Sequence, residues 1–176
     1  MKRAGRAAFE LMQTVWPEMS EIHVFCGSGN NGGDGYVIAA LAARAGLPAT
    51  LWQVDQPKTV TAQQALDYAV QEGAKLQAFT IDAWQAADIN PLAVLVDALL
   101  GIGFKGELKP QYLEAVQGIN QSSLPVIAVD IPSGIDGQNG ACTHIAVKAT
   151  LTISFIAQKL GNYICLLYTS PSPRDA

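Results

Sequence analysis

The sequence predicts an α/β fold in which a mostly parallel β-sheet is covered by helices on both faces. Two observations predict it. Short apolar runs alternate along the chain with longer segments of helical periodicity, which is the pattern of repeated strand–helix–strand units. The apolar runs are continuous rather than alternating apolar and polar, as expected for strands of a parallel sheet that is buried on both faces.

The amino-terminal part alternates helix and strand from the start. Apolar side chains at helical spacing predict a helix over residues 3–16, which Pro17 ends. An apolar run predicts a buried strand over residues 22–26. A glycine-rich segment then leads into an alanine-rich helix over residues 34–45, which Gly46 ends.

The middle of the chain predicts a second strand over residues 50–54 and a helix after it. Thr61 is expected to cap this helix, and Gly73 to end it. Residues 75–79 predict a weaker strand.

The remaining elements continue the same alternation. Residues 93–96 and 126–129 predict two buried strands, separated by a helix over residues 110–119 that begins with a proline. Residues 150–155 predict a further strand, the last with a clear pattern.

Length and composition fit one packed domain, and they exclude several function classes. The chain has 176 residues, of which 49% are apolar and 15% charged. Fifteen acids, eleven bases and no basic cluster argue against nucleic-acid binding. No apolar run is long enough to span a membrane. Three widely spaced cysteines without a CxxC motif favour a reducing, cytoplasmic location.

The last residues differ from the rest. Residues 1–162 are predicted to form the domain. Residues 163–176 follow neither helical nor strand periodicity, carry two prolines near their end, and look like translated cloning or adaptor sequence. We therefore expect this tail to be non-native or disordered.

Three polar or glycine-rich segments each follow a predicted strand directly, at residues 27–35, 97–107 and 130–134. In an open parallel sheet, ligands bind beyond the carboxyl ends of the strands. We therefore expect the three segments to meet at one edge of the sheet and to form a ligand site there.

The first segment suits a phosphate-bearing ligand. Five glycines in nine residues allow a close backbone approach, and the following helix directs free N–H groups at the loop. Asn30 and Asn31 add amides that donate and accept hydrogen bonds. Asp34 is expected to open the helix, and it could serve as a plain helix cap as well as a ligand contact.

Oxygen donors recur in the other two segments. Asp97 and Asp130 each close an apolar strand, where a carboxylate is costly unless it is solvated, paired or bound to a cation. Asn31, Asp97 and Ser133 could together hold an alkali or alkaline-earth cation, although the carboxylates are too few for a tight calcium site.

The three segments together resemble one family, the NAD(P)H-hydrate (NAD(P)HX) epimerases, also called the YjeF N-terminal domain family. The matching stretches read VFCGSGNNGGDGYVIAALAARAG, VLVDALLGIGFKGE and VIAVDIPSGIDG, and the similarity runs from about residue 1 to about residue 161. The resemblance implies a three-layer α/β/α, Rossmann-like sandwich. Because the family has a further helix before this start and continues past residue 161, we expect a chain that is truncated at both ends.

The resemblance also implies an activity and partners. It implies an isomerase that interconverts the R and S epimers of hydrated NADH and NADPH, binds K⁺ and forms a homodimer when intact. A fused or separate dehydratase then restores the cofactor. Asn31, Asp97 and Ser133 match the potassium ligands, and we expect Asp130 to act as the catalytic acid/base. The implied substrate contacts are Asn30, Asn31, Gly32, Gly33, Asp34, Gly101, Ile102, Gly103, Phe104, Lys105, Gly106, Glu107 and Asp130.

Two other interpretations stay open at this point. A non-catalytic nucleotide-binding or scaffold module of the same fold would have no need of Asn31, Asp97, Asp130 and Ser133 together. An NAD(P)-dependent oxidoreductase is disfavoured, because the loop is not a good GxGxxG fingerprint and no acidic ribose-binding residue follows one.

Overall fold

The computed structural model describes residues 2–142, 144–158 and 161–167, with side chains for residues 3–142 and 144–155. The described helices are α1 (Lys2–Val15), α2 (Asn30–Arg44), α3 (Val60–Gln71), α4 (Ile81–Gln85) and α5 (Pro110–Gln121). The described strands are β1 (Glu21–Cys26), β2 (Ala49–Gln53), β3 (Lys75–Ala78), β4 (Ala93–Ala98), β5 (Val126–Val129), β6 (Leu151–Gln158) and β7 (Gly161–Leu167).

The strands form one sheet in the order β3-β2-β1-β4-β5-β6-β7. The first six are parallel, and β7 pairs with β6 in the antiparallel direction. The strand order reverses between β1 and β4, so the connections diverge there and leave a crevice at the carboxyl ends. The predicted α/β fold with a mostly parallel sheet is confirmed.

Helices cover the two faces of the sheet. On one face, α1, α2 and α3 pack in a cluster that includes Met12, Val24 and Ile38. On the other face, α4 and α5 pack in a cluster that includes Phe25 and Trp84. Consecutive residues of β1 therefore point to opposite sides, and both sides are apolar because both are covered. Among the described residues, no helix is long and apolar enough to cross a membrane.

Helix α2 begins at Asn30, four residues earlier than the sequence predicts, with Gly29 as its N-cap. Asn and Gly have low helix propensity, so a propensity argument leaves this turn in the loop. Packing explains the difference. A Cβ atom on Gly32 would lie 2.1 Å from the Gly27 carbonyl oxygen, so only glycine lets the first turn lie this close to the end of β1. The expectation that Asp34 opens the helix is therefore wrong, because Asp34 lies in the second turn.

Two other boundaries differ from the prediction. The cap of α3 is Thr59 rather than Thr61, since the Thr59 hydroxyl accepts a hydrogen bond from the Ala62 amide at 3.1 Å. Helix α4, capped by Thr80, is too short to show helical periodicity in the sequence. The chain turn after α3 has φ of 103° at Gly73, in agreement with the predicted end of the helix.

Strand β7 falls where the sequence predicts no regular element. It pairs along its whole length with β6, from Gly161 opposite Gln158 to Leu167 opposite Thr152. Residues 163–167 therefore belong to a strand in the structure, although their sequence shows no strand periodicity. Residues 168–176 lie outside the described residues, and the non-native origin of the tail stays a prediction.

Candidate functional site

A cavity of about 590 Å³ opens at the carboxyl edge of the sheet, beside the switch in strand order. All three of the polar or glycine-rich segments contribute to it. The residues that line it are Ala4, Ser28, Gly29, Asn30, Asn31, Asp34, Leu99, Leu100, Gly101, Ile102, Gly103, Phe104, Asp130 and Phe155.

The start of α2 forms one wall of this cavity. Gly29 and Asn30 are exposed, and no side chain caps the helix. A Cβ atom on Gly29 would meet nothing within 4 Å, so the space above the first turn is open. The free N–H groups and the positive end of the helix dipole therefore face a space that can admit an anionic group.

Asp97 and Ser133 form a buried polar pair beneath the cavity. The Ser133 hydroxyl donates to Asp97 Oδ1 at 2.6 Å, and the Ser133 amide donates to Oδ2 at 2.8 Å. The Leu99 amide donates a third hydrogen bond to Oδ1 at 3.2 Å. Both side chains are essentially inaccessible to solvent. This arrangement ties the end of β4 to the loop after β5.

The charge of Asp97 is not balanced by a cationic side chain. None of the described ion pairs includes this carboxylate. Burial raises the pKa of Asp97 to about 6, although the hydrogen bonds from Ser133 and Leu99 favour the ionised form. An added cation would offset the cost of burying this charge.

Asp130 also lines the cavity, and it does so from an unusual backbone position. Its φ of 72° is the one positive value at a non-glycine residue among those described. Its Oδ2 accepts a hydrogen bond from the Ile102 amide at 2.7 Å, which joins the second and third segments. A left-handed conformation at an aspartate costs of the order of 1 kcal/mol, and such positions cluster at functional sites.

Asn31 lines the cavity next to Gly101 and has an unsatisfied side chain. The residue is 8% exposed, yet neither its amide oxygen nor its amide nitrogen has a hydrogen-bond partner within the described part of the chain. A Cβ atom on Gly101 would lie 3.4 Å from the Asn31 Cβ and 3.0 Å from Asp130 Oδ2. Asn31 and Asp130 therefore flank the same glycine of the second segment.

The short loop over residues 99–102 contacts all four of these polar residues. The Leu99 amide donates to Asp97, the Leu100 amide to the Ser133 hydroxyl at 3.0 Å, and the Ile102 amide to Asp130. Asn31, Asp97, Asp130 and Ser133, which are far apart in sequence, thus meet around residues 99–102.

Comparison with known proteins identifies the family. A family model described as "YjeF-related protein N-terminus" matches residues 1–161. The chain belongs to this family. A curated member from Coxiella burnetii, a bifunctional NAD(P)H-hydrate repair enzyme, is 42% identical over 183 residues, which cover 98% of this chain and 34% of the relative. The NAD(P)H-hydrate epimerase of Legionella pneumophila is 33% identical over 169 residues, which cover 92% of this chain and 61% of the relative.

The chain thus spans between about a third and three fifths of the length of these two relatives. Among solved structures, the crystal structure of yeast YNL200c matches with a TM-score of 0.75 and 16% sequence identity. The match covers 94% of this chain and 88% of the yeast chain, and it shows that the two share a fold.

The structure of this YjeF-related domain separates the predicted substrate contacts into two groups. Those that line the cavity are Asn30, Asn31, Asp34, Gly101, Ile102, Gly103, Phe104 and Asp130. Gly32 and Gly33 are instead buried within the first turn of α2, and Lys105, Gly106 and Glu107 are exposed outside the cavity. The predicted cation ligands Asp97 and Ser133 lie beneath the cavity rather than on its surface.

Sequence reasoning missed six of the lining residues. Ser28 and Gly29 lie in the same glycine-rich segment as the predicted contacts, and Leu99 and Leu100 lie in the second segment. Their position next to predicted contacts was the available signal. Ala4 and Phe155 come from α1 and β6, and neither has a reactive group that could mark it in the sequence.

Proposed function

We propose that this chain is an NAD(P)H-hydrate epimerase domain, which interconverts the R and S epimers of hydrated NADH and NADPH. The observation that carries the proposal is the convergence of Asn31, Asp97, Asp130 and Ser133 on one loop that lines the cavity. The names of the relatives from Coxiella burnetii and Legionella pneumophila support the same activity.

The cavity has features that suit a dinucleotide. Its volume of about 590 Å³ falls within the range of small-molecule sites. The uncapped start of α2 at Gly29 would hold the pyrophosphate through backbone N–H groups, so no basic side chain is required. Phe104 and Phe155 add apolar wall surface that suits a ring.

A potassium ion fits the residues beneath this cavity. Asn31 offers a buried amide oxygen without a described partner, and Asp97 offers a carboxylate without a described counter-charge. Ser133 adds a hydroxyl oxygen. Within the described residues, no group of three or more His, Cys, Asp or Glu side chains could hold a metal ion. The available donors are therefore one carboxylate and neutral oxygens, which suit a monovalent cation. Potassium would neutralise Asp97 and hold the three segments together.

Asp130 is the candidate general acid/base. It lines the cavity, and its carboxylate is oriented by the Ile102 amide while its backbone amide donates to the Ile153 carbonyl at 2.7 Å. Positioned carboxyl groups typically accelerate proton transfer by about 10²–10⁴-fold.

The test is epimer interconversion by the 176-residue chain, supplied with a single epimer of hydrated NADH. We expect conversion to the R/S mixture in potassium chloride, and slower conversion in choline chloride. Asp130→Asn should lower kcat about 100-fold or more. The matched control is Asp88→Asn, an exposed aspartate that does not line the cavity, which should keep the wild-type rate. Absence of conversion by the folded wild-type chain in potassium would overturn the proposal.

The partners follow from the chemistry. The S epimer would pass to a fused or separate dehydratase, which agrees with the name of a bifunctional repair enzyme in Coxiella burnetii and in Escherichia coli. A homodimer and a cytoplasmic location stay predictions.

A further inference from the structure

A turn at the surface follows the third segment and contacts the second. The chain pairs with itself between Ile135 and Cys142 in the antiparallel direction, and the Asp136 amide donates to the Ala141 carbonyl at 2.9 Å. Residues 136–140 form the turn between them, which we call the Asp136 turn. Neither the family resemblance nor the acid/base step proposed above gives this turn a role.

The side chain of Asp136 determines the shape of the turn. Its Oδ1 accepts hydrogen bonds from the Gln138 amide at 2.8 Å and from the Asn139 amide at 3.4 Å. The Gly140 amide donates to the Asp136 carbonyl at 2.8 Å. An aspartate that accepts from the amides that follow it forms an Asx turn, which replaces a backbone turn. The Asp136 carboxylate therefore holds the backbone of Gly137 in place.

Gly137 packs directly against Ile102 of the second segment. A Cβ atom on Gly137 would overlap Ile102 Cγ1, and it would lie 2.5 Å from the Ile102 carbonyl oxygen and 3.0 Å from its Cα. Gly137 is not among the described glycines with a positive φ, so its backbone conformation would accept an alanine. Glycine is required here for space alone, because the two segments approach each other so closely.

This contact matters because Ile102 orients Asp130. Ile102 is 59% exposed, so burial in the core does not fix its position. Its amide nevertheless donates to Asp130 Oδ2 at 2.7 Å, and within the described part of the chain this is the only hydrogen bond to that carboxyl group. The Asp130 backbone is fixed by its own amide, which donates to the Ile153 carbonyl. The direction of the carboxyl group on this backbone therefore depends on where Ile102 lies.

We propose that Gly137 and the Asp136 turn position the Asp130 carboxylate for catalysis by holding the Ile102 amide against it. The proposal rests on the epimerase function proposed above. Gly137 and Asp136 are positioning residues, since they act on the reaction through Ile102.

The spacing between the two segments gives the size of the expected effect. Ordinary contacts of a Cβ atom are 3.4–4 Å long, so an alanine at position 137 would displace Ile102 or the turn by about 1 Å. A displacement of about 1 Å at a reacting group can lower a rate by on the order of 100-fold.

The first measurement is amide hydrogen exchange at Ile102, which does not require activity. Gly137→Ala should speed this exchange by about tenfold or more, because the hydrogen bond to the carboxylate is lost. Asp136→Ala should also speed it, whereas Asp136→Asn, which keeps an acceptor oxygen for the turn, should restore wild-type exchange. Gln138→Ala is the matched control and should behave as wild type, since this side chain is exposed and only its backbone amide supports the turn.

The second measurement is kcat with hydrated NADH, in a double-mutant cycle. Gly137→Ala should lower kcat by about 10–100-fold in the wild-type background. In the Asp130→Asn background it should change kcat by less than about twofold, because the carboxylate that it positions is no longer there. A residue that only stabilises the fold would lower kcat by the same factor in both backgrounds.

Wild-type exchange at Ile102 in folded Gly137→Ala would overturn the proposal, as would equal factors of kcat loss in the two backgrounds. If Gly137→Ala does not fold, the two Asp136 variants decide. Faster Ile102 exchange in Asp136→Ala than in Asp136→Asn would then support the proposal, and equal exchange would overturn it. An inactive wild-type chain would instead refute the epimerase function, and exchange at Ile102 would still test the positioning of the carboxylate.

Discussion

His23 and Asn31 lie eight residues apart, and both are buried polar residues, but their surroundings differ in kind. His23 is 5% exposed and Asn31 is 8% exposed. The His23 ring has a partner at each nitrogen. The Trp52 indole N–H can only donate, so His23 Nδ1 accepts from it at 3.1 Å, and Nε2–H donates to Glu21 Oε1 at 3.0 Å. The Asn31 amide has neither kind of partner among the described residues.

This difference is the one expected between a structural polar residue and a residue that we propose binds a ligand. A satisfied buried group adds to stability, whereas an unsatisfied one carries its full desolvation penalty of about 1–3 kcal/mol. Such an unsatisfied group is expected at a site where a bound ligand supplies the missing partner and removes this penalty. Asp97 is an intermediate case, because three donors satisfy its hydrogen bonds but no described side chain balances its charge.

The largest effect on stability is expected from His23→Ala. The variant leaves Trp52 Nε1 without its acceptor and opens a space in the aromatic cluster of Phe25, Trp52 and Trp84, so unfolding should become easier by about 2–4 kcal/mol. Urea unfolding measures this change. The kcat of the folded fraction should stay at the wild-type value, because His23 is outside the cavity. His144→Ala is the control, since His144 is exposed. A stability change as small as that of the control would show that the ring hydrogen bonds contribute little.

A smaller effect, with a different signature, is expected from Asn31→Ala. Removing the unsatisfied amide relieves its desolvation penalty but also removes side-chain packing, so stability in potassium-free buffer should change by about 1 kcal/mol or less. The variant should lose the additional stability that potassium gives the wild type. Thermal unfolding in potassium chloride and in choline chloride measures both quantities. Asn30→Ala, which removes the exposed neighbouring amide, is the control for the cation response. An Asn31→Ala chain with the wild-type potassium response would exclude this residue as a ligand.

The fold and the edge that carries the site could be predicted from the sequence. Continuous apolar runs predict a parallel sheet that is buried on both faces. A parallel sheet brings the residues that follow β1, β4 and β5 to one edge. Asn31, Asp97, Asp130 and Ser133 were identified for this reason, because each is a polar residue directly after a buried strand or within the following loop.

What the sequence did not show depends on close packing. The start of α2 at Asn30 follows from a backbone contact between Gly32 and Gly27 that no propensity scale contains. The wall residues Ala4 and Phe155 reach the cavity through tertiary structure, and their apolar side chains carry no chemical signal. The strand over residues 161–167 depends on pairing with β6 rather than on its own pattern.

The most direct test of the central claim, that the three segments form one cation site around Asp97, is the effect of potassium on thermal stability at two pH values. Burial raises the pKa of Asp97 from 3.8 to about 6 in the folded chain. Between these values the folded chain holds a proton that the unfolded chain releases, so the contribution of Asp97 to stability falls as the pH rises through this window and is constant above it. A bound cation stabilises the ionised form of Asp97 in the folded chain and so offsets this loss of stability.

We therefore predict that potassium chloride, compared with choline chloride, raises the melting temperature at about pH 7.5 and has little effect at about pH 5, where Asp97 is largely protonated. At roughly a hundredfold excess over Kd, the stabilisation would be about 2.7 kcal/mol, or roughly 5–10 °C. Asp97→Asn should abolish the difference between the two salts. Equal melting temperatures in both salts at the higher pH would contradict the account.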